Sequence, residues 1–124
     1  MAREITITIA DVTVRGELFN TLTAEAIWQA LPFEAPFDFW GNEIYFTIPV
    51  SLGLEKDARE TVEKGDIGYW PTGPAFCIFF GPTPISKSGE IRPAGKVNVF
   101  GRIKGAPEVF KKASSHERIR VERS

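Results

Sequence analysis

GDIGYWPTGPAFCIFFGPTP, residues Gly65 to Pro84, holds the densest run of large rings in the chain. Asp66 to Trp70 and Ala75 to Phe80 read as two strands joined through Pro71–Pro74, because each run is aromatic or apolar and the junction is Pro/Gly turn chemistry. A period of two along the second strand puts Phe76, Ile78 and Phe80 on one face and Cys77 and Phe79 on the other. Both faces are apolar. A barrel interior covers one of them, so the other needs a loop, a helix, a partner or a ligand.

Working outward, Ile5, Ile7 and Ile9 alternate with Thr6 and Thr8, and Val12 and Val14 resume the alternation after a break at Ala10–Asp11. This spacing predicts a hairpin over residues 4–10 and 12–18. Leu22, Ala26, Ile27, Ala30 and Leu31 fall at helical spacing, with Thr23 as N-cap, Glu25 in the first turn and Pro32 as the stop. Phe33 to Phe39 is extended and interrupted by Pro36. Ile44, Phe46 and Ile48 share one face of a strand, and Glu43, Tyr45 and Thr47 the other.

Residues 51–64 are polar and charged, which predicts a loop with a helical turn around Ala58 to Val62. Gly81 to Gly95, with three prolines, three glycines and two serines, predicts a long surface loop. Val97 to Ile103 forms a further strand, Pro107 to Ala113 a short helix with proline at its first position, and Arg118 to Glu122 the last strand. Many short strands with one main helix make the chain mainly β and favour a closed barrel, which leaves no exposed edge.

The totals narrow the function classes. A chain of 124 residues, 43% hydrophobic and with ten Phe, forms one domain with an ordinary core. A net charge of -1 supplies no global attraction to nucleic acid or acidic lipid. One cysteine excludes an internal disulfide, and Cys77 reads as a small apolar filler. Met1–Glu4 runs straight into a strand pattern, and no segment approaches the ~20 apolar residues of a membrane helix. The expectation is a single-domain cytoplasmic protein without membrane or nucleic-acid partners.

WGNEIYF (Trp40 to Phe46), the Gly65–Pro84 stretch and VNVFGRI (Val97 to Ile103) occur in that order and together resemble an uncharacterised prokaryotic family of cyclophilin-like barrels. The resemblance runs from about Arg3 to Val121. It implies a closed eight-stranded β-barrel and a peptide groove on the outer wall near Phe76 and Ile78. Prolyl isomerisation in cyclophilins rests on an Arg, a Phe and a Gln. The corresponding stretch, Phe33 to Gly41, has no Arg, Lys or Gln, and the only glutamine in the chain is Gln29. Sharing the fold does not restore those groups.

The reading that follows is a binding protein. Its peptide or small-molecule ligand sits in an aromatic groove lined by Trp40, Tyr69, Trp70, Phe76, Ile78 and Phe80, with Glu43 and Tyr45 at the rim. A small second core beneath the Gly81–Gly95 loop is the alternative account of the same rings. Glu43 and Tyr45 would act as an acid/base pair only if burial raised the carboxyl pKa; a solvated strand face is the simpler account. No residue is assigned a catalytic role, and no cofactor or metal is expected. His116, in the polar turn Ser114–Glu117, has no ligand spacing to Cys77. Arg118 and Arg120 alternate with Ile119 and Val121 as an outward strand face, and the glycines form no phosphate cradle. A divergent prolyl isomerase and an oligomer-forming protein with the aromatic face as its subunit interface are the competing functions.

Overall fold

The computed structural model describes residues 3–114 and 116–124; Met1, Ala2 and Ser115 lie outside the described residues. Nine strands, β1 (Arg3–Ile9), β2 (Val12–Leu18), β3 (Phe33–Pro36), β4 (Asp38–Phe39), β5 (Glu43–Thr47), β6 (Asp66–Trp70), β7 (Ala75–Phe79), β8 (Asn98–Ile103) and β9 (Arg118–Arg123), make one antiparallel sheet. Their order is β3-β9-β1-β2-β8-β6-β7-β5-β4. The two outermost strands, β3 and β4, are consecutive in the chain and separated only by Phe37. The sheet therefore curls until its two edges are neighbours, which makes a nearly closed barrel.

Among the described residues the strands number nine rather than the expected eight. Proline has no N–H to give to a ladder. Pro36 accordingly ends β3, which pairs with β9, and the chain turns at Phe37 before β4 pairs with β5.

Helix α1 (Leu22–Ala30) is capped two residues earlier than expected, because Thr21 is the residue in extended backbone. The Thr21 hydroxyl accepts the Ala24 N–H at 3.0 Å. Thr23, the anticipated cap, is buried instead. Its hydroxyl donates to the Glu55 carboxylate and accepts from Asn98 Nδ2. Asn98 also accepts the Glu55 N–H and donates to the Gly53 carbonyl, so one buried amide ties the 53–55 segment to the barrel. The predicted helical turn at Ala58–Val62 is absent. Arg59 bridges Val97 and Val62 bridges Ile91, so this segment runs along the outer wall. Pro107–Lys112 winds as a 3-10 helix that sends Phe110 into the core.

The barrel interior is filled by rings. Phe76 stacks on Phe46 at 5.1 Å and meets Phe33 and Phe100 edge-on at 6.3 and 5.3 Å. Offset and edge arrangements of this kind are the favoured ones for aromatic pairs. Ile5, Ile7 and Ile9 from β1 and Ile119 and Val121 from β9 complete the packing.

Candidate ligand groove

The groove begins as a consequence of strand register. Across β5 and β7, Glu43 faces Phe79, Tyr45 faces Cys77, Ile44 faces Ile78 and Phe46 faces Phe76. Alternation sends Ile44, Phe46, Phe76 and Ile78 inward to the main core. It leaves Glu43, Tyr45, Cys77 and Phe79 on the outer wall. There Ala75, Cys77, Phe79, Val62, Ile91 and Val97 form a second apolar cluster, with Tyr45, Trp70 and Val99 packed against it.

Part of that cluster is covered by the strap that follows β7. Ser86 Oγ accepts the N–H groups of Thr83 and Arg92, both at 2.9 Å, and Thr83 Oγ1 donates to the Arg92 carbonyl. The strap is therefore knotted to itself through polar side chains. Beside it a cavity of about 320 Å³ opens, lined by Trp40, Glu43, Tyr45, Trp70, Cys77, Pro93, Ala94 and Val97.

Each of the two indoles is held by a turn. Trp40 and Glu43 exchange backbone hydrogen bonds of 2.8 and 3.2 Å, closing a tight turn through Gly41 at φ +60. A Cβ on Gly41 would stand 3.0 Å from the Pro82 carbonyl oxygen. The glycine thus lets the turn sit flush on the strap, where Asn42 N–H donates to the Pro82 carbonyl at 2.9 Å. Trp70, at the end of β6, lies over Gly73 and Gly95: a Cβ on either would stand 2.8 and 3.1 Å from the indole.

Glu43 dominates the electrostatics. It is 5% exposed, and among the described residues its Oε1 has no hydrogen-bond partner. Among the described residues no Lys, Arg or His pairs with it. Burial raises its pKa to about 7, and the nearby Cys77 thiol offsets only part of that rise. Near neutrality the carboxyl is poised between an acid that donates and a carboxylate that only accepts. Burial, reinforced by Glu43, pushes the Cys77 thiol well above its ordinary pKa, so Cys77 stays protonated and is not an activated nucleophile.

Four of the nominated residues, Trp40, Glu43, Tyr45 and Trp70, line this one cavity. The other four do not. Tyr69, Phe76, Ile78 and Phe80 face the barrel interior at 0–2% exposure. The Tyr69 hydroxyl donates to the Val50 carbonyl at 2.6 Å and accepts the Leu52 N–H, a fastening of the 50–52 segment. The bulkier face of β7 turns inward because its cross-strand neighbours, Ile44, Phe46, Ile67 and Tyr69, carry the volume that fills the barrel. Glu43 lies on the floor, not on a solvated rim. Cys77, Pro93, Ala94 and Val97 line the cavity without having been nominated; the only signal was that Cys77 and Phe79 made a second apolar face.

The remaining candidates are placed elsewhere. His116 is exposed, and its N–H bonds to Ser114 Oγ. Among the described residues no group of three His, Cys, Asp or Glu is arranged to hold a metal ion, and no helix is long and apolar enough to cross a membrane. Arg118 and Arg120 pair with Glu34, and Arg123 lies 4.6 Å over the Trp28 ring while donating to its carbonyl.

Among the described residues, a curled antiparallel sheet of nine strands with one α-helix makes a nearly closed β-barrel. The family model described as "Cyclophilin-like" matches residues 3–122, and the chain belongs to that family. The solution structure of a hypothetical protein from Archaeoglobus fulgidus is similar, with a TM-score of 0.80 and 38% identity over 99% of this chain and 95% of that one. No curated protein matches the chain.

Proposed function

We propose that this protein binds a small molecule or a single peptide side chain in the cavity between Trp40, Tyr45 and Trp70, with Glu43 fixing its orientation. The observation that carries the reading is an apolar cavity of about 320 Å³ whose lining includes Glu43, a buried carboxyl with an unpartnered Oε1. Leaving a buried polar atom without a partner costs about 1–3 kcal/mol. A ligand that supplies the partner recovers that cost, and the surrounding rings supply the buried area. The volume lies at the small end of ligand pockets, which suits a compact group rather than a folded partner.

Prolyl isomerisation draws no support from this groove, since its lining contains neither arginine nor glutamine. The test of binding is a fragment titration followed through indole N–H resonances. Trp40 and Trp70 should shift, while Trp28, which lies under Arg3 and Arg123, should not. Fragments that leave Trp40 and Trp70 unmoved at millimolar concentration would sink the reading.

A further inference from the structure

Resting on that binding site, we propose that its ligand presents a positively charged nitrogen, an ammonium or guanidinium group, with Glu43 as counter-charge and Trp40, Tyr45 and Trp70 as the walls around it. Three features of the cavity converge on this chemistry. The only carboxyl in the lining is buried and has an orphaned oxygen. No cation of the protein itself pairs with it among the described residues. Three of the eight lining residues are the ring types whose faces attract cations, tryptophan most strongly.

A purely apolar ligand would leave Glu43 unsatisfied, and a ligand carrying only acceptors would pair with the protonated form alone, so its affinity would fall as pH rises through about 7. A cationic nitrogen brings donors and charge together, and it binds the form of Glu43 that has lost its proton. Tyr45 and Cys77 are the other titratable groups lining the cavity, and burial keeps the thiol neutral. The pH dependence near neutrality therefore belongs to Glu43.

The experiment compares n-butylguanidinium with n-butylurea, two probes of one shape that differ in charge. The guanidinium keeps its charge across the range, so any pH effect reports the protein. With Glu43 titrating at about 7, butylguanidinium affinity measured by calorimetry should rise roughly tenfold between pH 6 and pH 8, as the ionised fraction does. At pH 8 it should exceed that of butylurea by about tenfold or more. Glu43→Gln, checked for native fold by circular dichroism, should abolish both the charge preference and the pH effect.

Equal affinity for the two probes, or affinity that falls as pH rises, overturns the cationic ligand while leaving the groove intact as a binding site. Indole N–H resonances of Trp40 and Trp70 that neither probe moves overturn the groove reading as well.

Discussion

Tyr45 stands directly opposite Cys77 across the β5–β7 ladder, and both side chains line the same cavity. The pairing places the phenol, the thiol and, two residues along β5, the Glu43 carboxyl on one outer wall. The same register places Phe46 against Phe76 inside the barrel, with their rings stacked. A slip of one residue would exchange the two sets, burying a carboxyl in the ring-filled core. The apolar volume inside and the polar trio outside therefore fix the register jointly.

The first consequence is a pH-dependent stability. The Glu43 carboxyl has a reference value of 4.5 and titrates at about 7 in the folded chain. Between these values the native state holds a proton that the unfolded state has released. Stability should fall as pH rises through this window and level off above it, by up to about 3 kcal/mol. Asp66 is raised by burial too and shares the sign. Urea denaturation of wild type and Glu43→Gln across pH 4–8.5 (about one half-unit steps suffice) isolates the Glu43 part. The variant should lose less stability on going to high pH, and parallel curves would contradict the assignment.

Trp70 and Phe76 should separate binding from folding. Trp70 is partly exposed at the cavity wall, whereas Phe76 is fully buried among three other rings. Phe76→Ala should cost about 3–5 kcal/mol of stability. Trp70→Ala should cost about 1–2 kcal/mol, because only part of its ring leaves a packed environment, and should remove most of the affinity for butylguanidinium. Trp70→Ala unfolding the protein at room temperature would assign Trp70 to the core instead.

Gly41 should control the placement of Trp40. An L side chain at φ +60 costs roughly 1–2 kcal/mol, and the added Cβ would press on the backbone of Pro82 and Thr83. Gly41→Ala should lower stability by at least that amount and move the Trp40 indole resonance, leaving Trp28 unchanged. An unmoved Trp40 signal would show that the turn does not position the indole.

Cys77 should be chemically quiet in the native protein. Its side chain is 2% exposed and its pKa is raised, and only the thiolate is alkylated. Thiolate content falls roughly tenfold for each unit of that rise. Iodoacetamide should therefore label Cys77 slowly in buffer and rapidly in urea. Native labelling at the rate of a free thiol would mean that the groove opens to solvent far more than the packing around Phe79 indicates.

Much of this molecule was legible along the chain. Alternation in Ile5–Ile9 and Val12–Val14, the helix stopped by Pro32, and the turn at Pro71–Pro74 all appear where the residue chemistry puts them. The two apolar faces of Ala75–Phe80 were also plain, and so was the need for two coverings, which the barrel core and the second cluster under the strap supply. Which face went inward was not readable, because a period of two is unchanged when the faces are exchanged; the rings across the ladder on β5 and β6 made that choice. Burial of Glu43 was equally hidden. A carboxyl on a strand looks solvated until the Trp40 turn, Trp70 and the Pro93–Ala94 segment close around it, and those residues lie far apart in the chain. Local spacing determined the strands; desolvation, which depends on everything packed nearby, decided where the poised carboxyl lies.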